Sequence, residues 1–384
     1  MSETGYNQAA NGAAENQNVA EAAPTSFKCP SCGGVMVFNP ASQNLKCEYC
    51  EYTMDMEDSS QQISSNEFDD EAELSTGDVW SKESHAVKCK SCGATTISEA
   101  FIVSDKCPFC GTANVLEEVI LTGLSPEYVI PFKITEKTAV SQFKEWVKGR
   151  WFAPNKLKKS IDGTRVDLTG LYVPCWSFDT DTSSFYTAMA GEYYYVTVTD
   201  TIVKDGKTEH VTRQERRTRW YPVSGQYYED FRDYIVDSSV NIDDNMMEQI
   251  QPFNMSELVA FQPQYLSGFK AERYSVSLKE GWSLAKDRLA RKIEQGIIRQ
   301  INADEVANVR FKTSHSNKHF KHILLPTWYS AFKYKEKSYG FMINGQTGKV
   351  TGKSPISPWK VMVLIAGITV AIVVGYFIYT NFIA

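Results

Sequence analysis

The chain has 384 residues, a net charge of −6 and a pI near 5.6. That length holds two or three structural units, and the acidic balance excludes a strongly basic, chain-wide surface for gripping nucleic acid. Residues 1–26 carry no apolar signal-peptide core, and the nine cysteines point to a reducing compartment.

Residues 1–26 are mostly Asn, Ala, Glu and Gln and read as a disordered tail. Two sets of cysteines follow. Cys29, Cys32, Cys47 and Cys50 form the first; Cys89, Cys92, Cys107 and Cys110 form the second. Each set reads C-x2-C, fourteen residues, C-x2-C, and the second repeats the first 60 positions later. A C-x2-C turn places two thiolates on one edge of a tetrahedron, and a second turn brought over by a hairpin closes a four-thiolate zinc site with no open position. Two disulfides, an iron site of rubredoxin type and buried free thiols are the competing readings. The flanks repeat too: Lys28-Cys29-Pro30-Ser31-Cys32-Gly33 matches Lys88-Cys89-Lys90-Ser91-Cys92-Gly93. Glycine after the second cysteine suits a turn that needs φ > 0. Val35–Phe38 and Phe101–Val103 can supply hairpin strands. The expectation is two zinc ribbons, residues 27–55 and 85–115, each stabilised mostly by one structural zinc ion. His85 is a candidate substitute ligand.

Between Glu51 and Glu83 stand eleven acidic residues and one lysine. Residues 56–84 therefore read as a solvated acidic linker that decouples the ribbons from each other and from the body, so that losing one zinc site leaves the rest indifferent.

Residues 116–355 read as one β-rich α+β domain. Thr135 opens a helix with Val140, Phe143, Trp146 and Val147 on one face. A longer helix runs from about Ser277 to Ile301, with a Ser277/Glu280 capping box and Ala285, Leu289, Ile293 and Ile297 at four-residue spacing. Tyr193–Thr199 is strand-like, and Asp205-Gly206 signals a hairpin with a return strand near Thr208–Arg219. A second repeat is quieter. Leu171–Trp176 and Ile323–Trp328 share a P-x-W core 152 residues apart, which suggests a duplicated sheet element. Cys175 reads as a packed thiol, and His315, His319 and His322 as a candidate metal cluster on strand-like sequence. The G-K-S of Gly352-Lys353-Ser354 lacks the upstream glycine and following helix of a P-loop, so no nucleotide site is expected.

Residues 358–384 read as a transmembrane tail anchor. Val361–Ala384 contains no charged side chain, Ser357-Pro358 can start a helix, and Trp359 and Lys360 suit the headgroup zone. Lys349, Lys353 and Lys360 precede the span and no basic residue follows it, which predicts a cytoplasmic body.

The cysteine turns resemble those of a bacterial group of membrane-attached zinc-ribbon proteins, often labelled TFIIB-type zinc ribbon-containing or primosomal protein N′/replication factor Y-like. Leu121–Phe132, Trp151-Phe152-Ala153-Pro154, Leu168–Pro174, Tyr265–Phe269 and Asn344–Gly348 carry the same resemblance. Members are similar to membrane proteins found beside TPM- and SPFH-domain proteins, which implies a role in envelope-stress or membrane-organisation assemblies. The expected function is a non-enzymatic adaptor that binds the lipid bilayer and a protein partner. The alternative is a membrane-tethered nucleic-acid binder linked to replication, using Lys156, Lys158, Lys159, Arg216, Arg217 and Arg219.

Overall fold

The computed structural model describes residues 27–56, 63–68, 124–163, 166, 168–204, 207–334 and 337–380, together with the backbone of five short strands between residues 85 and 119. The disordered-tail expectation for residues 1–26 lies outside the described residues.

The N-terminal hairpin places β1 (Met36–Asn39) against β2 (Asn44–Cys47), and β3 (Thr53–Asp55) continues the small sheet. Alternation puts Met36, Phe38, Leu45 and Cys47 on its buried face. The two-residue strand β4 (Asn66–Glu67) follows. The strands β5 (His85–Lys88), β6 (Thr95–Ser98), β7 (Ser104–Lys106) and β8 (Ala113–Val115) then repeat the backbone of the first unit. Asn44–Lys46 pair with Asp55–Thr53, and 60 positions on Ser104–Lys106 pair with Val115–Ala113 in the same register. The Lys28–Val35 bridge has its counterpart in the Lys88–Thr95 pair. β9 (Glu117–Val119) pairs with β5, so this unit extends beyond the expected boundary at residue 115.

The body is built from two copies of a strand–helix–strand–strand unit. The first copy comprises β10 (Tyr128–Val129), α1 (Glu136–Gly149), α2 (Asn155–Gly163), β11 (Thr169–Lys204) and β12 (Lys207–Asp237). After α3 (Asp244–Ile250) and β13 (Val259–Ala260) comes the second: β14 (Lys270–Glu272), α4 (Leu278–Ile301), β15 (Glu305–Tyr334) and β16 (Lys337–Asn344). β17 (Val350–Gly352) and α5 (Pro358–Ile378) end the chain's described structure.

The two P-x-W segments face each other at the centre of the sheet. β11 and β15 are antiparallel, with Tyr172 opposite Pro326 and Pro174 opposite Leu324. A shift of 152 residues turns the first pair into the second, so a pseudo-twofold axis passes between the strands. The outer partners obey it. Leu171 and Tyr172 pair in parallel with β14, as Ile323 and Leu324 do with β10. The Trp176 indole donates to the Val276 carbonyl (3.0 Å), just before α4, while the Trp328 indole donates to the Ile134 carbonyl (2.8 Å), just before α1. Each tryptophan thus ties its own repeat to the helix start of the other.

Both helices begin and bury as their sequences require. The Thr135 hydroxyl caps α1, which buries Ala139, Phe143 and Val147. The Ser277/Glu280 capping box is formed, and α4 buries Ala285 in a cluster with Trp176 and Phe178, and Leu289, Ile293 and Ile297 in one with Tyr186 and Phe231 of the long strands.

β11 has 36 residues, where strands usually have five or six, and at about 3.3 Å per residue it reaches on the order of 110 Å. The register slips between Phe178 and Thr180 against β12 and between Asp179 and Asp181 against β15. There the Lys321 ammonium lies 2.6 Å from Asp233 and 3.5 Å from Asp179. Beyond Gly191, β11 has β12 as its only strand partner among the described residues, and the pair continues as an arm to Lys204 opposite Lys207. Residues 205 and 206, the expected turn, lie outside the described residues.

The decoupled linker is corrected where it is described. Asn66 and Glu67 pair with Phe320 and His319 of β15, and Phe68 is buried against Phe178, Trp282 and Phe320. An aromatic ring in an acidic segment gains more from burial than a solvated tether offers, so this part of residues 56–84 belongs to the body.

Candidate metal centre

Cys29, Cys32, Cys47 and Cys50 converge. Their four sulfurs lie within 4.8 Å of one another, with Cys29–Cys50 and Cys32–Cys47 both at 3.5 Å. A tetrahedron with metal–sulfur bonds of about 2.3 Å has edges of about 3.8 Å, so the set fits one ion. These separations are far longer than a disulfide bond of about 2.05 Å, and all four thiols are free. The four cysteines therefore form a cluster that can hold a metal ion.

Two matching turns build the cluster. The Gly33 amide donates to the Cys29 carbonyl (2.8 Å) with Gly33 at φ +73°. The Glu51 amide donates to the Cys47 carbonyl (3.0 Å) with Glu51 at φ +62°. The residue after the second cysteine is left-handed in both turns, but only the first is glycine. Aligning the two turns in sequence pairs Glu51 with Gly33, a signal the sequence reading left unused.

The electrostatics call for a cation. Amides of Cys50 and Tyr49 hold the Cys47 thiol down at about 7. The Gly34 amide draws Cys32 the same way, but hydrogen bonds to the Cys50 and Cys47 thiols, together with burial, outweigh it and push Cys32 up to about 12. Four crowded sulfurs cannot all ionise unless positive charge sits among them.

The ribbon is not free of the body. Met36, Phe38, Leu45, Cys29 and Cys47 share one core with Phe132, Phe143, Tyr172, Tyr265 and Trp328. The Phe38 amide donates to the Ser267 carbonyl (3.0 Å), the Ser267 hydroxyl donates to the Met36 carbonyl (2.6 Å), and Gln43 reaches the Phe132 carbonyl (2.7 Å). Gly268, at φ +82°, lets Val37 approach so closely that a Cβ there would crowd it. The second unit docks next door, with Thr96 and Ile97 pairing with Glu272 and Ala271 of β14. Cys89, Cys92, Cys107 and Cys110 themselves, like the His85 side chain, lie outside the described residues, so a second metal site is not described.

The remaining candidates separate. His315 packs edge-on to Trp282, His319 bonds the Asn317 carbonyl, and His322 is buried between Trp176 and Tyr274, where burial depresses its pKa to about 4. The three do not form a cluster, because on extended backbone these positions fan out along the strand. Cys175 is wholly buried, and burial, with the charges of Asp237 and Glu272, pushes its thiol well up. The Gly345–Ser354 segment is a hairpin turn and the strand β17 that follows it, and in the turn Asn344 Oδ1 accepts from the Gln346 and Thr347 amides, both at 2.9 Å. α5 spans 21 residues with a mean hydropathy of 2.7 and buries none of its apolar stretch, so it is long and apolar enough to cross a membrane.

No family model matches the chain, and no solved structure does. A curated relative, the "Uncharacterized protein YdjG" of Bacillus subtilis (strain 168), is 31% identical over 351 residues, covering 89% of this chain and 94% of the relative. With the four-cysteine cluster, its docked ribbon and the apolar C-terminal helix on one chain that aligns over nearly its whole length, the protein belongs to the family of YdjG.

Proposed function

We propose that this protein is a non-enzymatic, membrane-anchored adaptor whose two ribbons each hold a structural zinc ion and whose body faces the cytoplasm. The observation that carries this is the four-thiol cluster whose buried members, Cys29 and Cys47, share the body's core while Cys32 and Cys50 are exposed. A site with four cysteine ligands has no open position for substrate, and its ion would act by fixing the two turns and the hairpin that Met36 and Phe38 dock. The exposed apolar α5 supports the anchor, and Lys349, Lys353 and Lys360 on its N-terminal side support the orientation. The arm of β11 and β12, with exposed Tyr195 and, at its base, exposed Trp220 and Tyr221, supports a protein partner, in line with membrane-organisation or envelope-stress assemblies.

Elemental analysis of the purified full-length chain tests the metal: about two zinc ions per chain are expected, and iron or oxidised, metal-free cysteines would overturn it. Affinity purification from membranes at native expression tests the adaptor; recovery of no protein partner counts against it.

A membrane-tethered nucleic-acid binder is the second reading. It draws on Arg216 and Arg219, stacked over Tyr193 and Tyr194 on the arm. Lys156, Lys158 and Lys159 are on α2, beside the start of α5 rather than on the arm, which favours the adaptor. Filter binding that weakens steeply with salt would reverse the ranking.

A further inference from the structure

The loop between α1 and α2 is fastened to the first turn of α5. The Ser357 amide donates to the Phe152 carbonyl (2.8 Å), and the Lys360 ammonium donates to the carbonyls of Trp151 (2.9 Å) and Ala153 (2.8 Å). Those three bonds hold residues 151–153 at the level where α5 leaves the body.

Large apolar side chains are exposed at that level. Trp151 is 57% exposed, Phe152 38%, Ile356 66% and Trp359 69%, and among the described tryptophans Trp151 and Trp359 are the two most exposed. Ala153 and Leu157 of the same segment are buried, so the loop is a folded part of the body that turns two aromatic rings outward. Tryptophan and phenylalanine in this arrangement suit the headgroup zone, where one side of the ring meets hydrocarbon and the other water.

Positive charge surrounds them. Lys156 and Lys159 project from α2, Arg150 lies over the Trp146 ring, and Lys158 sits close enough to Lys360 for the second ammonium, after burial, to depress the first. Among the described residues none of Arg150, Lys156, Lys158, Lys159 and Lys360 has a carboxylate partner. Exposed apolar side chains beside unpaired cations match the surface of an anionic bilayer, which offers phosphates around a hydrocarbon edge.

We propose that residues 150–160 form a second membrane contact, with Trp151 and Phe152 inserted at headgroup depth and the surrounding lysines bound to anionic lipid headgroups. This rests on the reading of α5 as a span. The body then lies on the bilayer instead of hanging from a flexible stalk, and the ribbons docked on it keep a fixed attitude to the membrane.

The test uses the full-length chain in nanodiscs of phosphatidylcholine alone or mixed with phosphatidylglycerol. The Trp151 signal is the difference between the wild-type chain and Trp151→Phe; the Trp359 signal is obtained in the same way from Trp359→Phe. Both are expected to be quenched by lipids brominated near the headgroup and shielded from aqueous iodide. The shielding of Trp151 is expected to be greater with phosphatidylglycerol, and each charge reversal, Lys156→Glu or Lys159→Glu, is expected to lower that preference about fivefold. Trp359 in lipid with Trp151 open to iodide would overturn the proposal while leaving the span intact. Both open to iodide would overturn the span reading itself, and equal shielding in the two lipid mixtures would overturn the anionic headgroup assignment.

Discussion

Gly33 and Glu51 occupy the same place in two matching turns, and they differ in how freely they adopt it. A Cβ on Gly33 would meet nothing within 4 Å, so Gly33→Ala isolates the backbone cost of a left-handed residue, about 1–2 kcal/mol. Because metal binding and ribbon folding are linked, that cost should appear as roughly tenfold easier metal removal in a chelator competition. Glu51→Gly should shift the competition the other way, since the exposed Lys46–Glu51 pair at 3.5 Å returns little. Glu272 carries a pH dependence. Burial raises its carboxyl from 4.5 to about 7, despite the Asn241 amide at 2.7 Å and Ser239, with Asp237 adding to the rise. An acid whose folded pKa is raised favours folding while protonated. Stability should therefore fall as pH climbs from about 4.5 to about 7, by about 3 kcal/mol in all. Glu272→Gln should flatten this slope, measured as urea midpoints at about pH 5 and about pH 8.

At the scale of elements, the pseudo-twofold pair of β11 and β15 organises the body, and the two tryptophans lock it. Trp176→Phe leaves the Val276 carbonyl without its donor, and Trp328→Phe does the same to Ile134, each at about 1–3 kcal/mol. Because the ties cross between repeats, the effect should be crossed as well. Hydrogen exchange in Trp176→Phe should speed up in the first turn of α4, and in Trp328→Phe in the first turn of α1. The reverse pattern would contradict a crossed lock. The irregularity in the long strands is a different kind of device. Lys321 pairs with Asp179 and Asp233 at the level where the register of the neighbouring strands slips, so charge and bulge coincide there.

For the molecule as a whole, a metal held by the four cysteines is expected to couple to body stability. Phe38 and Met36 are part of the core built around Phe132, Tyr172 and Trp328, so a ribbon that opens removes core from the body. Stripping the metal with a chelator should lower the unfolding midpoint of the entire chain in detergent. Phe38→Ala should cost about 3–5 kcal/mol even with the metal bound. A body that melts unchanged after metal removal would restore the decoupled ribbon that the acidic linker suggested.

What the sequence determined alone is whatever short-range chemistry encodes. The cysteine spacing brings thiols together through two tight turns and a hairpin; the Ser277/Glu280 box starts α4 with its own side chains; an uncharged apolar run sufficed to mark α5. The P-x-W repeat was legible as a repeat, but its pairing was not, because the strands that meet lie 152 residues apart. Tertiary structure alone decided where the ribbon sits. The bond from Ser267 to Met36 joins residues 231 apart, and no local pattern marks either partner. It also decided the fate of Phe68, a ring set among acids, and of Trp151, which local sequence does not connect to the first turn of α5. In each case the deciding energy is burial or hydrogen bonding between distant segments, which exists only once the chain has folded.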